Sequence, residues 1–386
     1  MRLSPGLHLT YCTNVHPAET AQGVLAAVAG PVAEVKARVC PDQPFGVGLR
    51  LSDAAARGDA GALKAALEAR GMYAFTVNGF VHGGFQVDGL KERVYAPAWD
   101  DEERVAYTLR CAETLAALLP DGVAGSLSTS AGTYRPWGHD RAVLEACARG
   151  YVAAVEGLRA LRDRTGRTVR LAVEPEPLTS LETTADAAQF WTEHVRPAAS
   201  GRVAEDDLTA LLGVCYDACH LAVMFEDPHE SVRTLQMGGV PIHKVQVTSA
   251  LQVRPDRPGA VEALKGFAEP RFLHQTVGRR PDGDLLVARD LAEVPDRDPD
   301  GWGACEAWRS HFHVAVYAED VGDATPVATT RPFLQAALEA LLAADACDHY
   351  EVETYTWDVT PTAVRDDLVG MLAGEIEWTR QRLEGT

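Results

Sequence analysis

Four residues in the second half of the chain have the types and placement of a cation cup. Glu174 closes the apolar run "VRLAVE", Asp217 lies in "LLGVCYDACH", Gln246 in "IHKVQVTSA" and Glu353 in "YEVETYTW". Each comes at or near the end of a stretch rich in apolar and β-branched residues, so four strands carry Glu, Asp, Gln and Glu at comparable depth. Three carboxylates converging on one cavity repel one another unless protons or a cation intervene. Oxygen donors of this kind suit a hard or borderline divalent ion. The neutral amide of Gln246 shifts preference away from zinc, so one Mn2+ ion is the expected cofactor, with Mg2+, Co2+ and Zn2+ compatible. Pro175 and Pro177 flank Glu176 and keep the chain extended past Glu174, so these glutamates cannot drift into the next helix.

Imidazoles supply further candidates. His220 stands three residues beyond Asp217, and "WRSHFHVAVY" places His311 and His313 on one face if it is extended. His16 and His243 read as hydrogen-bonded structural histidines. Lys91, Arg93, Tyr95 and Trp99, in the long loop "NGFVHGGFQVDGLKERVYAPAWDD", are reachable by an anionic or polyol substrate, although a solvated loop is the plainer reading.

These side chains need a frame. Strand-like runs recur at residues 7–14, 45–52, 73–80, 123–132, 169–177, 211–220, 242–250 and 350–357, and segments of helical periodicity separate them. Asp140 and Thr183 are helix-start signals and Gly166 a stop signal. Eight strands alternating with helices imply parallel pairing and an α/β fold, a (β/α)8 TIM barrel, whose catalytic groups sit at the carboxyl ends of the strands. The interval from Gln246 to Glu353 is more than twice that from Glu174 to Asp217, and residues 252–320 read as an inserted β-rich lid. In that segment "RFLHQTVGRR" and "DLLVARDL" form a hairpin about "PDGD", followed by the extended piece that carries His311 and His313.

The 386 residues are 46% hydrophobic, enough for one elaborated domain spanning 1–386. A formal net charge of -19 excludes nucleic acid as a partner, because that affinity comes chiefly from Lys and Arg on phosphates. No apolar run approaches the ~20 residues of a membrane helix, and the first residues lack an apolar signal segment, so a cytoplasmic protein is expected. The eight cysteines are scattered without zinc-site spacing and read as buried reduced thiols.

The segments "VEPEP", "YDACHLAV", "VQVTSAL" and "VETYTWDVTP", with "LSPGLHLTYCTNVHP" near the start, "FTVNGF" and "HFHV", resemble the EboE metabolite-traffic family of xylose isomerase-like TIM barrels. The resemblance runs almost end to end. Sugar isomerases and epimerases of the wider superfamily hold one divalent metal through Glu, Asp, His and Glu on strands five to eight. Glu174, Asp217 and Glu353 match that pattern, and Gln246 replaces the histidine. The resemblance implies a DxxH role for His220, near metal or substrate. It implies isomerisation or epimerisation of a small polyol, keto-sugar or cyclitol, with or without phosphate. Glu174 and Glu353 would move the proton, and His220 or His313 would steady the oxyanion. The alternative is a metabolite carrier using the same cup without turnover, which the Gln246 replacement favours. Phosphoester hydrolysis would call for more histidines and a basic face.

Overall fold

Eight parallel strands form a nearly closed barrel: β1 (His8–Tyr11), β2 (Phe45–Arg50), β3 (Met72–Asn78), β4 (Gly125–Ser130), β5 (Val169–Glu174), β6 (Leu212–Asp217), β7 (Ile242–Val247) and, after five further strands, β13 (His349–Val352). The hydrogen-bonded order is β1-β13-β7-β6-β5-β4-β3-β2. The seam between β1 and β2 is spanned by a Cys12–Gly48 bridge and by the Thr10 and Thr13 hydroxyls, which accept from the Gly48 and Arg50 amides. This computed structural model describes residues 1–3, 6–294, 301–321, 326–359 and 367–385. Residues 4, 5, 360 and 361 of the quoted motifs and 295–300 of the expected lid lie outside that set.

Local signals account for the helices. The Asp140 side chain caps Arg141–Thr165 at the Val143 amide, and Gly166, at φ 70°, ends it in the left-handed region that favours glycine. Thr183 and Asp186 make a reciprocal capping box on Thr184–Phe190. The run "ETAQGVLAAVAGPVAEVKARV" reads as one helix but folds as two, Ala21–Ala29 and Pro31–Val39, because Pro31 has no amide hydrogen and bars Gly30 from helical geometry. Among the described residues no helix is long and apolar enough to cross a membrane. All eight cysteines are free and buried.

The barrel interior is polar as well as apolar. Lys244 on β7 and Glu351 on β13 are fully buried, with Nζ 2.6 Å from Oε2. Lys244 also donates to Ser128 Oγ on β4. A Cβ at Gly48 on β2 would lie 1.8 Å from Glu351 Oε1, so glycine is required there by close approach.

The chain between β7 and β13 builds a second, antiparallel sheet from β8 (Leu251–Val253), β9 (Thr276–Arg279), β10 (Leu285–Ala288), β11 (Ala307–Ser310) and β12 (Ala328–Thr329), in the order β10-β9-β11-β8-β12. β9 and β10 pair about residues 280–284, where a hairpin is expected. Its core, with Trp302, Trp308, Phe312 and Leu264 among its members, is a cluster of its own.

Candidate metal centre

Strand geometry brings the carboxylates together. Glu174 is the last residue of β5 and Asp217 the last of β6, while Glu353 follows β13 directly, its amide bonded to Val247 O on β7. One ligand oxygen from each of Glu174, Asp217 and Glu353 lies within 4.8 Å of the others. All three are buried, and Glu174 Oε2 and Asp217 Oδ2 have no hydrogen-bond partner. Burial, followed by repulsion from Glu353 and Asp217, pushes the Glu174 carboxyl well above the usual range. Burial, then Asp217 and Glu351, does the same to Glu353. Such a cluster is stable only with protons shared among the carboxyls or with a cation between them. The unpartnered oxygens fit a divalent ion held by carboxylates.

Gln246 lies beside the cluster in register with Asp217 and Glu351 on the two flanking strands. It is fully buried, and neither Oε1 nor Nε2 has a partner. A buried polar group left unsatisfied costs about 1–3 kcal/mol, and for Oε1 that cost is removed when the carbonyl joins a ligand set.

Neighbours fix the carboxylates' inner oxygens. Asp217 Oδ1 accepts from Thr248 Oγ1 at 2.6 Å and from the His220 amide, capping the helix Ala218–Val223. Glu353 Oε1 accepts from Asn14 Nδ2 at 2.7 Å and Asn78 Nδ2 at 2.8 Å. Asn14 belongs to the turn after β1, the strand paired with β13, and Asn78 ends β3 farther round the barrel, so two strands besides β13 hold this carboxylate in place. Sequence reasoning passed over Asn14 and Asn78, although each stands at or just beyond a strand end, as Glu174 does.

The histidines converge on the same mouth. His220 Nδ1 is 3.6 Å from Glu174 Oε1, and its Nε2 is 3.8 Å from Asp217 Oδ2. His311 and His313 follow β11, and the second sheet delivers them over the carboxylates, with ligand atoms of His313, His220 and Asp217 within 4.8 Å of one another. Glu176 joins this group. Its Oε1 accepts from Tyr95 OH and Gln275 Nε2, while its Oε2 has no partner and burial raises its pKa. The repeated Glu-Pro pair was its signal in the sequence.

A cavity with about 580 Å3 of atom-free space, mouth included, opens above these groups. Glu174, Glu176, His220, His311, His313 and Glu353 supply its polar wall, and Phe80, Phe272 and Tyr355 its apolar wall. A wider hollow lies at the amino ends of the strands, beside Arg2, Lys64 and Arg167. That face of a barrel generally carries stability rather than catalysis.

The loop after β3 differs from the solvated reading. Trp99 is fully buried against Tyr151 and bonded to Thr129, away from the cavity. Lys91 is tied to Asp290, Glu269 O and Phe272 O of the segment bearing the second sheet. Arg93 bonds back to Gly89 O. Of the four residues, Tyr95 alone lines the cavity. His16 and His243 are structural, bonded to Tyr11 OH and Thr209 O.

Comparison of the chain with solved structures returns several matches over nearly its whole length. A xylose isomerase domain protein from Planctomyces limnophilus superposes with a TM-score of 0.52 at 14% identity, covering 98% of each chain. The fold is a TIM barrel like that of the Planctomyces protein. An L-ribulose 3-epimerase (TM-score 0.49, 13% identity, 98% of this chain and 95% of that one) and the IOLI protein with a binding zinc atom (0.48, 11%, 98% and 99%) are also similar. No family model matches the sequence, and no curated protein sequence matches it. At 14% identity the likeness to the Planctomyces limnophilus protein shows the barrel fold alone and leaves activity to be argued from the site.

Proposed function

We propose that the protein is a metal-dependent isomerase or epimerase of the EboE type, acting on a small polyol, keto-sugar or cyclitol by proton transfer beside a carbonyl. The observation that carries this reading is the buried Glu174, Asp217 and Glu353 cluster at the strand ends, with two of its carboxyls raised in pKa. Glu174, Asp217, Glu353 and the Gln246 carbonyl would hold the ion, and Mn2+ suits a set of oxygen donors. When bound, the ion supplies Lewis-acid polarisation of a substrate carbonyl. Asp217, pinned by Thr248, is the holding ligand.

Glu174 and Glu353 come from strands on different sides of the mouth, so one can remove the proton from the carbon next to the carbonyl and the other return it. Asn14 and Asn78 orient Glu353 for that transfer. His220 and His313 line the same cavity beside these carboxylates. Phe80, Phe272 and Tyr355 exclude water from one wall of the cavity. The segment 252–320 acts as a lid within a single domain of 1–386, and its tie through Lys91 to the loop after β3 makes a continuous rim. The reading is tested by incubating chelator-stripped protein, with and without Mn2+, with ketoses, inositols and cyclitols, free and phosphorylated, and following epimer formation by NMR. Conversion of one compound only in the presence of metal supports it. Tight binding of a compound that is never converted supports the carrier reading instead.

A further inference from the structure

His220, His311 and His313 present a geometry that the carboxylate cup does not explain. His220 Nε2 is 3.3 Å from His311 Nε2, which is 3.1 Å from His313 Nε2. Two nitrogens held by one tetrahedral ion at about 2.05 Å each are themselves about 3.3 Å apart. The tautomers follow from the other ring atoms. His220 Nδ1 faces Pro175 O and His313 Nδ1 faces Glu353 O; a carbonyl oxygen only accepts, so both Nδ1 atoms carry the hydrogen. His311 Nδ1 lies 2.7 Å from Gln275 Oε1. The Gln275 amide is oriented by its Nε2, which donates to Glu176 Oε1 and Pro177 O, so His311 Nδ1 is also the donor.

All three Nε2 atoms are therefore unprotonated, and the His311 Nε2 lone pair faces those of His220 and His313 in a buried space. Lone pairs at that separation repel unless something positive lies between them.

We propose that His220, His311 and His313 form a second cation site, beside the carboxylate site, for a borderline transition-metal ion such as Zn2+ or Co2+. Imidazole nitrogens select such ions over Mg2+, as carboxylate and carbonyl oxygens do not. The Nδ1 hydrogen bonds are the outer-sphere contacts that orient ligating histidines. Each pair of imidazoles has a further donor within 4.8 Å to complete the coordination: Glu176 with His220 and His311, Asp217 with His220 and His313, and Cys219 with His311 and His313. Asp217 thus belongs to both groups. His311 and His313 arrive from the second sheet and His220 from the barrel, so an ion here joins the two. This site stands independently of the isomerase reading.

The test is Zn2+ binding to the chelator-stripped full chain, by equilibrium dialysis and X-ray absorption at the zinc edge. Glu174→Gln/Glu353→Gln protein is expected to retain one zinc whose surroundings show the scattering of imidazole rings. His311→Ala protein is expected to lose that zinc and keep one with oxygen surroundings. His313→Gln, checked for native circular dichroism, repeats the measurement should His311→Ala fail to fold. The proposal is overturned if the zinc of the carboxylate variant lacks an imidazole shell, or if His311→Ala and His313→Gln both retain imidazole-ligated zinc in full. In the first case an oxygen-ligated zinc in wild type leaves the carboxylate cup standing, so the two sites fail separately.

Discussion

Asn78 Nδ2 donates to Glu353 Oε1 at 2.8 Å, joining the end of β3 to the residue after β13 across the barrel mouth. Asn14 makes a parallel bond at 2.7 Å to the same oxygen. Both favour the ionised carboxylate against burial. A hydrogen bond to a charged group contributes about 1.5–3 kcal/mol, so Asn78→Ala should move the ionisation of Glu353 upward by about one to two pH units. The alkaline shift should appear in the pH profile of cation binding. An unchanged profile would mean that Asn78 does not act through Glu353.

Proton release accompanies cation binding if the carboxyl cluster is the site. Burial and mutual repulsion raise Glu174 and Glu353 in the metal-free protein, so an incoming ion must displace protons. Calorimetry with Mn2+ near neutral pH in buffers of different ionisation enthalpy should show release, and affinity should rise with pH. The same shifts govern stability. A carboxyl whose folded pKa is raised from 4.5 contributes stability below that value and loses it as pH rises toward the folded pKa. His313, lowered from 6.5 to about 4, contributes stability above 6.5 that is lost as pH falls through about 4. Metal-free protein should therefore lose stability on both sides of a mildly acidic optimum, and Mn2+ should flatten the alkaline limb. Equal melting temperatures at pH 6 and 8 without metal would contradict this.

Beneath the site, Lys244 and Glu351 form a fully buried ion pair in the barrel interior. Burial opposes the Lys244 charge, yet Glu351 holds its pKa above the usual value. Lys244→Met leaves a buried carboxylate uncompensated and should cost about 3–5 kcal/mol in urea unfolding, whereas Lys244→Met/Glu351→Leu should recover most of that loss. Gly48→Ala, whose Cβ meets Glu351 Oε1, should destabilise by the same route.

The carboxylates could be read from sequence because a strand announces its own end. In "VRLAVEPEP" and "GVCYDACH" the apolar run stops at the residue that faces the mouth, and the structure places Glu174 and Asp217 there. The barrel followed from the alternation of strands and helices for the same local reason. The DxxH resemblance and the lid reading bring His220 and His313 toward the mouth, but their contacts with His311 depend on how the segment after β11 meets the helix Ala218–Val223 after β6, between segments about ninety residues apart, which no local pattern encodes. Lys91 and Trp99 misled for a related reason. A Gly-rich loop reads as solvated, but here Lys91 is tied to the segment bearing the second sheet and Trp99 packs against Tyr151.

If the second sheet covers the mouth through His311 and His313, ligands at the site should quiet it. Amide hydrogen exchange across residues 307–316 should slow on addition of Zn2+, while the hairpin turn at 281–284, which is exposed, should not change. Equal slowing at both places would point to general stabilisation rather than closure.

Transfer of a substrate's carbon-bound hydrogen is the central claim, and its most direct test is exchange with deuterated water. Metal-loaded wild type should label the hydrogen beside the carbonyl of one ketose, inosose or related cyclitol, followed by NMR. Glu353→Gln keeps an oxygen donor but removes the base, so it should bind the same compound and exchange it about 10² to 10⁴ times more slowly. A compound that binds tightly to both proteins and is labelled by neither would contradict the isomerase account and leave the site as one of recognition alone.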